Sequence, residues 1–356
     1  MPLKKTVNDS HSNWMDGAGP ESDIAISSRV RVARNLADIP FPHLLNNAKA
    51  EDVIHAVRLA VEDKELARQA GVLEMSLLGE LSPVERQILV DKHLISPDLI
   101  NSFECKAVVL RDDEVISIMV NEEDHLRIQC LLSGLQLKEA WDLINQVDDG
   151  LEKTLDYAFS EQLGYLTACP TNVGTGMRAS VMLHLPGLVL VKQLKGVLNA
   201  ISKVGLTARG LFGEGTEALG DLFQISNQIT LGQTEEEIIS NLTAVVRQII
   251  SQEKATRAAL YKDRRDFVED RVYRAYGILK NAHILSSEEA MRLFSDLRLG
   301  IEMNLLSGIP AKLLNELMVR IRPAFLIKLA GREMSAHQRD VFRAELIRNE
   351  FKEFDC

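Results

Sequence analysis

Val120-Asn121-Glu122-Glu123-Asp124-His125-Leu126-Arg127 sets three acids, a histidine and an arginine beside an apolar stretch, Val115 to Val120. Carboxylates so close to a guanidinium can grip a cationic acceptor and take its proton, while the arginine neutralises an anion. In Ser27-Ser28-Arg29-Val30-Arg31 two arginines stand at i and i+2. On a strand both project to one face, and two guanidinium forks on one face suit a polyphosphate. Cys169-Pro170-Thr171-Asn172-Val173-Gly174-Thr175-Gly176-Met177-Arg178 is a glycine-bearing turn leading into a strand, without the Gly-Lys-Ser/Thr of a Walker A loop. Arg209-Gly210-Leu211-Phe212-Gly213-Glu214-Gly215-Thr216-Glu217 places another arginine at a strand end before a flexible loop carrying Glu214.

Singly, each segment has a plainer meaning as a solvated strand edge or a surface turn. Together they put Arg29, Arg31, Arg127, Arg178 and Arg209 on or beside strands of one expected sheet, with Glu122, Glu123 and Glu214 as the accompanying acids. Phosphoryl transfer needs these parts, because its loose transition state is catalysed mainly by positioning and charge neutralisation. Strand alternation would turn only one of Glu122 and Glu123 toward such a site. His125 reads as a packing or hydrogen-bonding residue. Cys169 has no base at nucleophile spacing and reads as a neighbour of the site that oxidation could block.

The elements that must hold these residues alternate between two patterns. A polar leader precedes Ser27, and a helical pattern runs from Ala48 to Gln69. A second helix starts at Ser82-Pro83, with serine as N-cap and proline at the first helical position. Ala107 to Leu110, Val115 to Val120 and Leu126 to Leu131 read as a hairpin feeding a third strand. A long helix is expected from about Leu137 to Leu163. Strands are expected near Tyr165 to Ala168, Arg178 to Leu185, Thr207 to Phe212 and Leu222 to Ile225. Hairpin connections favour an antiparallel sheet with helices packed on it, an α+β arrangement. From Thr234 on nearly everything reads as helix: Glu235 to Tyr276, Ser287 to Asn304, Pro310 to Leu317 and Ala336 to Phe354. The expected division is a catalytic domain at 20–254 and an all-α C-terminal domain at 255–356.

Bulk properties narrow the partners. The 356 residues are 46% hydrophobic and 26% charged with a net charge of -10, which argues against direct nucleic-acid binding and is compatible with basic protein partners. No apolar run reaches the roughly 18 residues of a membrane span and no signal-peptide core opens the chain, so a cytoplasmic protein is expected. The four cysteines are scattered, so free thiols and no protein-held metal are expected.

In order and spacing, across Asp23 to Ile250, the four arginine-bearing segments resemble the signature segments of the phosphagen (guanidino) kinases, such as creatine and arginine kinase. The resemblance implies the phosphagen-kinase catalytic fold and ATP with Mg²⁺. It implies that Arg29, Arg31, Arg127, Arg178 and Arg209, with Ser28 beside them, hold the nucleotide. It further implies that Glu123 and Glu214 grip the acceptor guanidinium, one as base with Glu122 adjacent, and that Cys169 lies beside it. The acid-base demand is severe: with a pKa near 13.8, about one arginine in 10⁶ to 10⁷ is neutral at neutral pH. Two features depart from that family. Its N-terminal helical domain would precede Ser-x-Arg-x-Arg, which here comes almost at once, so a more open site is expected. Its adenine-stacking histidine has no counterpart near Leu110.

The C-terminal run Arg339-Asp340-Val341-Phe342-Arg343-Ala344 resembles a motif of the bacterial McsB-type branch, the protein-arginine kinases. On a helix Arg339 and Arg343 share a face, a geometry suited to clamping one phosphate. That resemblance implies a phosphoarginine site at Arg339, Asp340, Arg343 and Ala344, a homodimer, and protein substrates with exposed arginines. It also implies links to the McsA activator, the CtsR repressor and the ClpC–ClpP protease. Two rivals stand beside it: a kinase for a free guanidino metabolite such as arginine, and a non-catalytic adaptor binding phosphoarginine or a repressor.

Overall fold

The computed structural model describes residues 2–210, 218–352 and 354. Its strands are β1 (Ala25–Arg34), β2 (Leu73–Leu77), β3 (Ala107–Arg111), β4 (Ile116–Val120), β5 (Leu126–Ser133), β6 (Phe159–Ser160), β7 (Gly164–Tyr165), β8 (Met177–His184), β9 (Leu206–Gly210) and β10 (Leu222–Asn227). Among the described residues eight of them form one sheet in the order β2-β3-β4-β5-β1-β8-β10-β9, and β6 pairs with β7 in a small ribbon. Every pairing is antiparallel, as the hairpin spacing predicts.

Alternation along the strands gives the sheet two unlike faces. Val30, Val32, Ile116, Ile118, Ile128, Ala179, Val181 and Ile225 point to the first face and are fully buried. There they meet α2 (Asn47–Val61), α3 (Lys64–Ala70), α5 (Leu137–Glu152), α6 (Pro186–Leu190), α7 (Leu194–Ser202) and the first half of α8 (Glu235–Asp263). The second face carries the polar residues of the sequence motifs. Its apolar remainder, including Ile26, Val108, Leu110 and Met119, belongs to a second core. That core is shared with α1 (Pro2–Asn8), α4 (Pro83–Asp91), the end of α8, α9 (Arg265–Asn281), α10 (Ser287–Glu302), α11 (Ala311–Arg320), α12 (Pro323–Ala330) and α13 (Ala336–Phe351).

Several element boundaries differ from the sequence reading. The pattern at Ala48 to Gln69 is two helices, because Asp63 Oδ1 accepts from the backbone N–H groups of Glu65 and Leu66 and starts α3 afresh. Helix α5 stops at Glu152, eleven residues short of the expected end. The chain there turns to bridge Leu36 through Tyr157 and then forms the β6–β7 ribbon. Of the expected strand near Tyr165 to Ala168 only Tyr165 lies in a ladder, that of β7. The helix expected from Glu235 to Tyr276 breaks at Arg264 (φ -143°). The leader is not merely polar: Val7, Trp14 and Met15 are buried in the second core, and Trp14 Nε1 donates to the Lys92 carbonyl at 3.2 Å.

Candidate active site

Register assembles the arginines. On β1, Arg31 lies opposite Gln129 of β5 and Arg178 of β8, Arg29 lies opposite Leu131 and Ser180, and Ala33 lies opposite Arg127. On the far side of β8, Gln224 of β10 pairs with both Met182 and Arg209 of β9. Cross-strand partners share a face, so all five arginines occupy the second face of the sheet. Burial lowers the Arg29 guanidinium to about 10, helped by repulsion from Arg127 and Arg178. Burial, with Arg29, Arg127 and Arg178 close by, pushes Arg31 well below its usual range. A group near 10 is still charged in all but roughly one molecule in 10³ at pH 7. The face is therefore a cluster of like charges held together by the fold, and it lowers its energy by receiving an anion.

The acids sit in the turn between β4 and β5, not on a strand, so strand alternation does not divide them. Asn121 at φ 60° reverses the chain, and its N–H bonds the His125 carbonyl at 3.0 Å. Both acids consequently reach Arg127: Glu122 at 2.7 Å and Glu123 at 3.8 Å. Their environments diverge. The Glu122 side chain is 3% exposed, that of Glu123 42%. Glu122 accepts from Ser96 Oγ at 2.6 Å. Burial alone would raise the Glu122 carboxyl, yet Arg127, Ser96 and the Glu123 N–H outweigh it and hold it below the usual range. Glu123 is raised, first by desolvation and then by Asp124, Glu122 and Asp98, against the pull of Arg127.

A buried polar network ties this turn to the loop before Arg178. Asp124 Oδ1 accepts from Asn35 Nδ2 at 2.6 Å and from the Ala168 N–H at 2.7 Å, while Asn35 Oδ1 accepts from the His125 N–H at 2.9 Å. Thr230 Oγ1 donates toward the Thr171 and Val173 carbonyls at 3.0 and 2.7 Å. At Gly174 (φ 112°) a Cβ would lie 2.3 Å from the Thr230 carbonyl oxygen, so only glycine permits the two segments to approach this closely. Arg34, at the end of β1, lies 3.4 Å from the Tyr165 ring centroid, donates to the Thr175 carbonyl at 3.0 Å and pairs with Asp148 of α5 at 2.6 Å. The Arg34 and Asp148 side chains are 1% and 6% exposed. Asp148→Ala would strand a buried guanidinium, and urea unfolding should show a loss of roughly 3–5 kcal/mol at constant m-value. An apolar exchange of both residues should recover most of it. A loss below about 1 kcal/mol would deny the pair its structural role.

Arg34, Asn35, Asp148 and Thr230 escaped the sequence reading, and Asp124 entered it as an acid without a role. The signal at Asp148 is a charged residue on the buried stripe of α5, and Thr230 carries none. Ser28 requires a correction. Alternation turns its side chain to the first face, where the hydroxyl donates to the Gly134 carbonyl at 2.8 Å and accepts from the Gln136 N–H at 2.9 Å. Ser27, its neighbour, faces the arginines instead. His125 is buried, with Nδ1 accepting from the Leu36 N–H at 3.0 Å. Cys169 is half-buried, with Sγ 3.0 Å from Thr171 Oγ1. Glu214 lies outside the described residues. The expected phosphate clamp on α13 is not formed. Arg343 is 2% exposed and donates to the Ile321 and Leu285 carbonyls at 3.0 and 2.7 Å and to Asp340. Ala344 is fully buried, and Arg339 donates to the Met334 carbonyl at 2.8 Å.

A cavity of about 440 Å³ opens on the second face. Arg29 and Arg31 line it, and it runs along the strands past Ser27, Ser180 and Met182. Beyond the sheet its wall is completed by Asp91 at the end of α4, by His93 and Ser96 after it, and by Arg322 at the start of α12.

The sequence profile of the ATP:guanido phosphotransferase C-terminal catalytic domain matches residues 52–256. The duplicated taurocyamine kinase from Schistosoma mansoni superposes with a TM-score of 0.60 at 26% identity, over 67% of this chain and 34% of that one. Lombricine kinase does so with a TM-score of 0.57 at 24% identity, over 68% of this chain and 70% of that one. Fold and arginine face together define a phosphotransferase of the guanidino-acceptor class. The profile of the protein-arginine kinase McsB C-terminal domain matches residues 265–356. Protein-arginine kinases of Pelotomaculum thermopropionicum and Brevibacillus brevis are 75% and 50% identical to this chain, over 99% of it and 99% and 98% of their own lengths. The chain belongs to the protein-arginine kinase family.

Proposed function

We propose that the protein transfers the terminal phosphoryl group of ATP to arginine side chains of other proteins. The observation that carries this reading is the convergence of five arginines on one sheet face beside the Glu122–Glu123 turn. Arg29, Arg31, Arg127, Arg178 and Arg209 bind and neutralise the phosphates. Glu123 takes the proton from the acceptor guanidinium as the N–P bond forms and the bond from the γ-phosphorus to the bridging oxygen breaks, releasing ADP. Deprotonating the acceptor beforehand would cost on the order of 9 kcal/mol, so transfer must be concerted with bond formation. Glu122 fixes Arg127, Glu214 joins Glu123 at the acceptor, and Cys169 borders it.

Among the described residues no group of three or more acids, histidines or cysteines is placed to hold a metal. Mg²⁺ fits this donor set as an ion carried by the nucleotide phosphates and water, where it would neutralise charge on the transferred group. The proposed phosphoarginine site is Arg339, Asp340, Arg343 and Ala344. To serve as one, Arg343 must exchange its bonds to Leu285 and Ile321 for a phosphate. The division at residues 254 and 255, a homodimer, cytoplasmic placement, and action on CtsR with McsA and ClpC–ClpP complete the proposal. The net charge of -10 is compatible with basic partners of that kind. No described helix is long and apolar enough to cross a membrane.

Incubation with Mg-ATP and casein, followed by mass spectrometry without acid, is expected to find phosphoarginine on casein that is lost with Glu123→Ala. Phosphate appearing only on added free arginine would instead make the protein a metabolite kinase. No transfer to either acceptor would favour the adaptor.

A further inference from the structure

Glu122 and Glu123 are identical neighbours that both reach Arg127, so a third group must divide their work. That group is Ser96. Its Oγ donates to Glu122 Oε1 at 2.6 Å, the length of a hydroxyl bonded to a charged carboxylate, while Glu122 Oε2 accepts from Arg127 Nη1 at 2.7 Å. Each oxygen of the Glu122 carboxylate therefore has a donor of its own. Glu123 meets Arg127 only at 3.8 Å, beyond hydrogen-bond reach, and its side chain is 42% exposed.

A serine hydroxyl carries one proton, and the surroundings commit this one to Glu122. The Leu99 N–H donates to the same oxygen at 3.1 Å, which makes Ser96 the N-cap of the 3₁₀ turn Pro97–Ile100. Pro97 disfavours helical backbone at the residue before it, and Ser96 is extended, at φ -82° and ψ 155°. The Ser96 N–H points at Met119 Sδ of β4, 3.2 Å away, and Leu99 is fully buried in the second core. Groups that do not titrate thus anchor the serine, and one bond carries that anchor to the acidic turn.

We propose that Ser96 is a positioning residue for phosphoryl transfer, holding Glu122 as the ionised partner of Arg127 and leaving Glu123 as the acid that takes the acceptor's proton. The inference rests on the reading of Glu123 as base and gives the reason its neighbour is not. The charged groups around Glu122 are Arg127 and Arg31 of the sheet, Lys106 before β3, and Glu123 and Asp124 of its own turn. Glu123 in turn feels Arg127, Arg178 and Asp98 of the capped turn. Without the hydroxyl, one oxygen of a carboxylate only 3% exposed loses its donor, and burial drives the Glu122 carboxyl up toward the range in which Glu123 titrates. A protonated Glu122 releases Arg127, so transfer then needs both acids ionised.

Initial rates of ADP release with casein as acceptor, followed across roughly pH 5 to 8, read this directly. The acidic limb of wild-type kcat/KM should follow one proton. Ser96→Ala should steepen it toward two protons and lower kcat on the plateau by roughly tenfold, the size of one lost hydrogen bond to a charged group. Ser96→Thr, which keeps hydroxyl and cap, should restore limb and rate. Ser96→Asp keeps the cap but sets a carboxylate where the donor stood, so it should share the steeper limb. In the Glu122→Gln background Ser96→Ala should change the rate by less than about twofold and leave a one-proton limb, because Ser96 acts through Glu122. The inference is overturned if Ser96→Ala keeps the wild-type limb and rate, if Ser96→Thr is no better than Ser96→Ala, if Ser96→Asp matches the wild type as a mere cap would, or if the loss persists without Glu122. A wild type with no acidic limb, or with no transfer to casein, removes the reading of Glu123 as base and the inference with it.

Discussion

Replacing Arg31 with alanine is expected to lower phosphoryl transfer by on the order of 10³-fold while raising the temperature at which the protein unfolds. The first part stems from its position at the centre of the arginine face, between Gln129 and Arg178. Charge clamps on a transferring phosphoryl group supply about 10³ to 10⁵ in rate in comparable sites. The second part stems from the strain Arg31 endures in the free protein. It is desolvated, it is repelled by Arg29, Arg127 and Arg178 against the attraction of Glu122, and its buried Nε has no hydrogen-bond partner among the described residues. Removing it relieves that repulsion, so activity and stability move in opposite directions. Single-turnover transfer and a thermal melt on the same preparation check both. A rate within tenfold of wild type, or a lower melting temperature, would show Arg31 to be a structural arginine instead.

Glu123→Gln should cost 10²- to 10⁴-fold in kcat, the usual order for a positioned base. The pH profile identifies which of the two adjacent acids is that base. The Glu123 carboxyl sits above the usual 4.5 and that of Glu122 below it. A base works only when ionised, so activity should fade as pH drops through the raised value. The acidic limb of kcat/KM then lies above 4.5 and disappears in Glu123→Gln, whose residual rate is flat. Glu122→Gln should keep the limb and act instead by loosening Arg127, which it holds at 2.7 Å. A limb below 4.5, or one that survives in Glu123→Gln and vanishes in Glu122→Gln, reverses the assignment.

The parts of this site legible in the sequence were those set by alternation and by motif order. The two-residue spacing of Arg29 and Arg31 predicts their common face, and the hairpin pattern predicts the antiparallel ladder that brings Arg127 and Arg178 beside them. Where alternation was pressed beyond strands it misled. Glu122 and Glu123 lie in a turn. Ser28, named by resemblance and not by alternation, faces away because Arg29 faces in. The helix reading ran past Glu152 because residues 153–163 are apolar enough to continue it. The chain leaves the helix there for tertiary contacts, the bridge of Tyr157 to Leu36 and the Arg34 stack on Tyr165. Arg322, Asp91 and His93 were invisible for another reason. They meet through packing of helices far apart in the chain, and no local pattern encodes that meeting. The α13 motif shows the same limit: Arg339 and Arg343 do lie one turn apart, but Arg343 is drawn inward by carbonyls of two other segments.

Helix α8 begins in one core and ends in the other: Ile238 to Ile250 pack under the sheet, and Leu260 packs with the C-terminal helices. Between them Glu253 accepts from the Gly187 and Leu188 N–H groups at 2.8 and 2.9 Å and pairs with Arg257 at 2.7 Å, the carboxylate fully enclosed. A gene fragment ending at residue 254 would keep the carboxylate and discard the guanidinium that neutralises it. It would also remove the share of the second core that the C-terminal helices supply. Expression of the catalytic half alone is therefore a poor route to its chemistry. Dissection of this chain belongs to point substitutions in the intact polypeptide.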